Sequence, residues 1–423
     1  MPVLWTYLRL FFMPVGQNLD YDFPAFHSFW SMPVALGFGG LTAVFIGALL
    51  LLRRHPLIGF GLLWFFVTIS VESTFITIKN VIFEHRMYLP LVGLALAAVT
   101  AVLTLVRRLP RARGGLAVWV LALAFLTVQR NLVWRDGVSL WTDVVRKSPH
   151  KSRPHISLAI AHIQREDIAP ALVHLDRALE INPLAYKARG NRGLALAKLG
   201  RMEEALEEYN RALALKPNSA ITYNNRGDAY RQLGERDLAL EDYNRAIALN
   251  PSYAQAYVNR GVLYGQTGDS QLALADFTRA MEINPTLHEP YNNRGIVYEE
   301  MGLYDLAKAD FDRALSLKPE YADAFYNRGN VHRDMQDFEA ALKDYGEALK
   351  IRYNYSQVYN NRGIIHGGRG RNELALEDFN KAIDYDPEYS SAYFNRSLVH
   401  LQTGDYDNAL ADVRRARELG KDV

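Results

Sequence analysis

Cysteine is absent from this chain. That removes disulfides and thiolate metal sites and leaves the redox compartment open. Net charge is nearly absent too: 48 lysines and arginines stand against 46 acidic residues, giving +2. No global basic field calls for nucleic acid as a partner. No strand pattern is evident, and no glycine-rich phosphate loop follows one. No Ser/His/Asp arrangement stands out. Nothing here assigns a catalytic residue, a cofactor or a metal ligand. A chain of 423 residues exceeds one compact domain, so two regions are expected.

What is present is a repeat. Its first complete copy is Ala220–Tyr253, and the pattern recurs every 34 residues from Ser152 to the C-terminus. Pro149, Pro183, Pro217, Pro251, Pro285, Pro319 and Pro387 stand in step, and only Tyr353 breaks the series. Small residues keep the same step, as in Gly193, Gly227, Gly261, Gly295, Gly329 and Gly363. So do Ala205, Ala239, Ala273, Ala307, Ala341 and Ala375. Each unit carries two stretches with apolar residues at helical spacing, such as Ala220–Leu233 and Asp237–Leu249. Gly234 between them suits a helix stop, and Gly200, Gly268, Gly302, Gly370 and Gly404 repeat it. Small residues on facing helices let the axes approach closely. One hairpin cannot bury its apolar face alone, so neighbours must stack.

This pattern resembles the tetratricopeptide repeat, in eight units over 152–423. The resemblance implies a right-handed α-solenoid whose concave groove holds an extended peptide or a partner helix.

Three columns deserve separate treatment. Arg192, Arg226, Arg260, Arg294, Arg328, Arg362 and Arg396 each precede an acid by sixteen residues, from Glu208 to Asp412. The first unit lacks both at once, with Leu158 and His174 in their places. That joint change predicts a structural ion pair between the two helices of each unit. The second column is Asn191, Asn225, Asn259, Asn293, Asn327, Asn361 and Asn395. By the family resemblance it faces the groove, and an amide offers the donor and acceptor that match a peptide unit. These seven are the candidate peptide-binding residues. The third, His162, His332, His366 and His400, shares its column with Tyr230, Tyr264 and Tyr298, and reads as a core or groove position rather than a metal site.

The first third is far more apolar. Residues 1–30 read as an interfacial, extracytoplasmic segment. Residues 31–128 read as a membrane region with four transmembrane helices, at about Pro33–Leu52, Leu57–Val71, Tyr88–Val106 and Gly114–Val128. The competing reading is a buried helical hairpin. Arg53 and Arg54, then Arg107, Arg108, Arg111 and Arg113, mark two loops as cytoplasmic, which puts the repeats outside. Residues 129–151 read as a linker and capping helix. The fold class expected is therefore all-α, with transmembrane helices followed by the solenoid.

Glu84, His85 and Arg86 form a candidate loop for a lipid phosphate or sugar donor, against the reading of an ordinary hydrated loop. EHRMYLPLVG and RNLVWRDGVSLWTDVVRKSP resemble the later membrane helices of protein O-mannosyltransferase-like enzymes that use polyprenyl-phosphate sugars and carry C-terminal tetratricopeptide repeats. Such enzymes have more membrane helices and an acid in a first outside loop. Neither is found here, so no catalytic residue is carried over.

The expected function is a membrane-anchored, extracytoplasmic scaffold that binds polypeptide, beside a protein-glycosylation system. Membrane lipid and a polyprenyl-phosphate sugar are its further expected partners. The rival is an integral-membrane glycosyltransferase, or a piece of one, whose repeats present the acceptor protein.

Overall fold

A computed structural model describes residues 32–74, residues 132–420 and scattered positions from 92 to 128. The chain divides into two compact units, Met1–Leu215 and Lys216–Val423. Every described element is a helix.

Unit 1 opens with α1 (Met32–Arg54) and α2 (Pro56–Thr74), which fold back on each other at His55. A Cβ on Gly59 would lie 2.7 Å from the Leu52 nitrogen and 2.8 Å from the Ala48 oxygen, so the turn needs glycine there. Phe45 meets Phe66 edge to face at 5.6 Å, while Leu41, Ala48 and Phe65 are buried. Ile46, Leu50, Leu57 and Phe60 stay exposed.

The four-span reading is corrected at this point. No helix among the described residues is long and apolar enough to cross a membrane. Arginines 53 and 54 end the run, and Pro56 starts the return helix. What residues 32–74 form is a helical hairpin. Integral-membrane localisation with extracytoplasmic repeats rested on four crossings and is withdrawn with them. So are membrane lipid and polyprenyl-phosphate sugar as partners, and the membrane-enzyme rival. Residues 1–30, about half of Tyr88–Val106, most of Gly114–Val128, and the Glu84, His85, Arg86 loop lie outside the described residues.

Helix α3 (Gly137–Lys147) comes next. Asp136 caps its N-terminus by accepting from the Ser139 amide at 2.9 Å. It packs on the first of the repeated hairpins. In unit 1 these hairpins are repeat 1, α4 (Ser152–Gln164) with α5 (Ile168–Ile181), and repeat 2, α6 (Tyr186–Lys198) with α7 (Met202–Leu215).

Unit 2 holds six more. Repeat 3 is α8 (Ala220–Gln232) with α9 (Arg236–Leu249), and repeat 4 is α10 (Ala254–Thr267) with α11 (Ser270–Ile283). Repeat 5 is α12 (Glu289–Glu300) with α13 (Tyr304–Leu317), and repeat 6 is α14 (Ala322–Asp334) with α15 (Phe338–Ile351). Repeat 7 is α16 (Ser356–Gly368) with α17 (Asn372–Tyr385), and repeat 8 is α18 (Ser390–Gln402) with α19 (Tyr406–Glu418).

The small-residue columns explain the tight hairpins. A Cβ on Gly261 would lie 2.8 Å from the ring of Phe277, which is itself buried; Gly329 and Tyr345 repeat the relation at 2.6 Å. The alanine column, Ala239 to Ala375, is fully buried where the two helices cross. Glycines 200, 234, 268, 302, 370 and 404 all take positive φ at the turn between helices. Repeats 1 and 6 place Glu166 and Gln336 there instead, each at φ 63°. Within unit 2, neighbouring first helices touch one another, and neighbouring second helices make no comparable contact. The row therefore curves with its first helices on the inner side.

Candidate functional site

The arginine column forms the expected pairs. Arg226, Arg260, Arg294, Arg328, Arg362 and Arg396 each clasp the acid sixteen residues on through two hydrogen bonds of 2.6–2.8 Å. The acids are buried, and each arginine keeps about a fifth of its side chain exposed. Fork-to-fork geometry of this kind is the strongest form of such a pair. A third arm was not foreseen. Arg294 also donates to Thr278 at 3.1 Å, Arg328 to Asp312 at 2.6 Å and Arg396 to Asn380 at 2.6 Å. Those partners lie on the second helix of the preceding repeat. Each such arginine thus ties three helices together. Repeat 6 offers Gly346 in that column, which has no side chain to give to Arg362.

In repeat 2 the pair is looser. Arg192 stands 3.5 Å from Glu208 and makes its 2.8 Å bond to Asp176 of repeat 1 instead. Repeat 1 replaces the pair with histidines. The Nδ1 atoms of His155 and His174 lie 3.2 Å apart, and His155 Nε2 reaches the Pro149 carbonyl at 3.2 Å. His162 stacks on His174. Burial pushes the pKa of His155 down, and burial then the neighbouring imidazoles push that of His174 down. Among the described residues no cluster of His, Asp or Glu is arranged to hold a metal.

The asparagine column lies along the first helices of the repeats. In unit 2 its members are not independent. Asn259 donates to Asn224 at 3.0 Å, Asn327 to Asn292 at 3.0 Å and Asn395 to Asn360 at 2.9 Å. Asn224, Asn292 and Asn360 in turn donate to Asn225, Asn293 and Asn361 at 3.2–3.3 Å. The result is three amide relays, joining repeats 3 to 4, 5 to 6 and 7 to 8. The inner face therefore has a two-repeat period. Its sequence signal was readable: YNNRG recurs at 223, 291 and 359, while the intervening repeats have a single asparagine.

The relays fix the amides and leave part of each unused. Among the described residues, the side-chain nitrogens of Asn225 and Asn293 and the side-chain oxygens of Asn327 and Asn395 have no protein partner. These four residues are half-buried. Asn259 is spent on both sides, accepting from Gln255 at 3.0 Å. Asn361 is buried and gives its nitrogen to Asn330 and Tyr326. In unit 1, Asn191 turns back to the Lys187 carbonyl of its own helix at 2.7 Å.

Two recesses open beside this column in unit 2. The larger, about 240 Å³, lies between α10 and α12 and is walled by Val262, Phe277, Asn293, Ile296 and Val297. The smaller, about 120 Å³, lies between α16 and α18 beside Ile364, Phe379, Asn395 and Val399. Gly265 and Gly367 line the two recesses, three repeats apart in one column. Elsewhere that column in unit 2 reads Arg231, Glu299, Arg333 and Leu401. Burial, and then the Asp334 carboxylate, lift the pKa of Glu299 to about 7.

Stacked helical hairpins with small-residue seams define a helical-repeat protein. Family models described as "TPR repeat" match residues 193–234 and 227–268, and "Tetratricopeptide repeat" models match 254–287, 288–321, 322–352 and 360–422. Together they cover more than half the chain, which belongs to the tetratricopeptide-repeat family. Among solved structures, the APC/C hetero-tetramer Cut9-Hcn1 matches at TM-score 0.53 and 16% identity, over 64% of this chain and 54% of that one. A tetratricopeptide repeat protein from Parabacteroides merdae matches at TM-score 0.47 and 25% identity, over 59% and 98%. The pilF protein of Pseudomonas aeruginosa matches at 0.42 and 20%, over 48% and 91%. The first likeness bears on the fold alone, and this chain spans about half the length of that relative. No curated protein matches the chain. The resemblance to glycosyltransferases is thereby corrected to the repeat family alone.

Proposed function

We propose that the protein is a binding scaffold whose inner helices hold an extended segment of a partner polypeptide. The observation that carries this reading is the asparagine column of unit 2. Its amides are pre-oriented by their relays and still present unused donors at Asn225 and Asn293 and unused acceptors at Asn327 and Asn395. Groups held in place before binding lose little entropy when a ligand arrives. Backbone amides of an extended chain need both donors and acceptors, and every polypeptide supplies them. The surrounding charges are mixed, with Arg231, Glu299, Glu300, Arg333 and Asp334 on the same helices, so no single ligand charge is imposed along the whole face.

The test replaces the open donors without breaking the relays. Asn225→Asp with Asn293→Asp keeps the oxygens that accept from Asn224 and Asn292 and removes the free N–H groups. The chain and this double variant are compared on an array of random 12-residue peptides, beside a thermal melt. Two lost hydrogen bonds at about 0.5–1.5 kcal/mol each weaken binding roughly 10- to 100-fold. Equal binding by the two proteins would remove the asparagine column from the site.

A further inference from the structure

The column that contains Gly265 changes identity from one repeat to the next, and the change is chemical. It reads Arg231, Gly265, Glu299, Arg333, Gly367 and Leu401 through unit 2. Arg231 is spent on Asp228 at 2.7 Å, and Arg333 on Asp334 at 2.8 Å. Where the column is glycine a recess remains. A Cβ built on Gly265 meets nothing within 4 Å, and one on Gly367 meets only Val399 and Ala375, at 3.4 and 3.6 Å. Neither glycine takes a positive φ, so neither is needed by the backbone. Each weakens its helix relative to alanine. What the two glycines provide is the space.

The walls of the recess beside Gly265 are apolar except for Asn293, Gln266 and Glu300 at its edge. One repeat further on, Glu299 occupies the position that Gly265 leaves empty. Glu299 makes no hydrogen bond or ion pair among the described residues. Its nearby cation, Arg333, has its guanidinium on Asp334. Glu299, Glu300 and Asp334 therefore leave net negative charge on the face next to an apolar hole. Burial first, and the Asp334 carboxylate next, lift the pKa of Glu299 to about 7, and a cation seated beside it would favour its ionised form.

We propose that unit 2 reads a patterned peptide: an apolar side chain seated over Gly265, a lysine or arginine toward repeat 6, and a second, smaller apolar side chain over Gly367. The spacing follows from the repeats. Neighbouring helices pack about 8–10 Å apart, so one repeat step corresponds to roughly three residues of extended chain. Three steps, about 24–30 Å, correspond to about eight residues. The proposal rests on the peptide reading above and adds to it the order of side chains.

The probe is a fluorescein-labelled 12-residue peptide of serine and glycine carrying leucine, lysine three positions later and valine eight positions after the leucine. The same sequence reversed covers the other chain direction. Anisotropy titrations use the full chain. One of the two peptides is expected to bind, and exchanging its lysine for glutamate should weaken binding at least 10-fold. Gly265→Leu, the residue that repeat 8 carries in this column, fills the recess and should cost a similar factor; Gly265→Ala, which fills less of it, should cost less. Glu299→Gln with Glu300→Gln should erase the preference for lysine over glutamate. A thermal melt checks that each variant is folded.

Indifference to the lysine exchange, or full binding by Gly265→Leu, overturns the side-chain order and leaves the peptide face standing. If neither the patterned peptides nor random ones bind, the peptide reading and this inference fail together.

Discussion

Arg260 and Asp276 face each other across the two helices of repeat 4, joined by hydrogen bonds of 2.8 and 2.7 Å. The same arginine also donates to Asn244 on the second helix of repeat 3, and its guanidinium lies over the rings of Tyr257 and Tyr264. One side chain thus closes its own hairpin and fastens it to the preceding one. Such a residue explains how hairpins with so little apolar surface apiece still stack in register.

The pair should be strongly coupled. Asp276 is buried, so Arg260→Ala leaves a carboxylate without its cation, a change that costs about 3–5 kcal/mol. Asp276→Ala strands the guanidinium less severely, because Arg260 is partly exposed. The double variant should lose less than the sum, with a coupling of roughly 0.5–3 kcal/mol in denaturant unfolding. Strictly additive losses would mean that the clasp contributes nothing beyond packing.

The turn of repeat 6 should be improvable. Gln336 holds φ 63°, where the corresponding residues of repeats 2 to 5, 7 and 8 are glycine. A side chain in the left-handed region costs roughly 1–2 kcal/mol. Gln336→Gly should recover about 1 kcal/mol, less the entropy that glycine adds to the unfolded chain. The measurement is the shift in unfolding midpoint. Gly302→Gln in repeat 5 should shift it the other way, and failure of the two to oppose each other would show that the turns are not equivalent.

Much of this was legible in the sequence. The 34-residue step, the glycine stops and the arginine–acid spacing each depend on residues within one repeat, where a fixed offset becomes a fixed contact. Contacts between repeats were harder to read. The third arm of Arg294 needs the relative placement of two hairpins, and the recess at Gly265 is the absence of a side chain rather than the presence of one. The amide relays were written in the alternation of YNNRG, but a search for a single period passes over a doubled one. The apolar first third was over-read. Hydropathy does not separate a helix that packs on its neighbour, as Phe45 does on Phe66, from one that faces lipid.

Glu299 sets a pH dependence of one sign. Its pKa rises from 4.5 to about 7 on folding, chiefly through burial and next through Asp334. The folded state therefore holds the proton more tightly than the unfolded one. Its favourable contribution is complete below pH 4.5 and is lost as pH rises through about 7. Glu299→Gln keeps the neutral form at every pH. It should match the parent chain near pH 4.5 and melt at a higher temperature than the parent at pH 8. A difference that does not grow with pH would mean that the carboxylate is already neutralised in the folded chain.

The histidines of repeat 1 predict a dependence in the opposite direction, confined to unit 1. His155 and His174 both have pKa values below the ordinary 6.5, and burial is the first cause for each. Their rings share a hydrogen bond at 3.2 Å while His155 Nε2 donates to the Pro149 carbonyl, which requires His155 Nδ1 to accept and His174 Nδ1 to donate. Protonating His155 removes that acceptor. The charges around the cluster do not reverse the effect: Arg177 opposes protonation of His155, Asp167 stands 3.7 Å from His162, and no carboxylate among the described residues raises the pKa of His155 or His174. The unfolded chain takes up protons as pH falls through 6.5, and the folded chain resists until a lower pH. Stability is therefore complete above about 6.5 and declines as pH drops below it, levelling once the folded histidines also protonate. Hydrogen exchange, corrected for the intrinsic pH effect, should show residues 137–181 losing protection between pH 7.5 and 5.5 while repeats 4 and 5 lose none from this cause. His174→Leu removes one titrating ring and the shared bond together, and should flatten the dependence even if it lowers the starting stability. If the variant keeps the full pH response of the parent, the response comes from other groups, and the histidines only fill the place that the arginine–acid pair holds elsewhere.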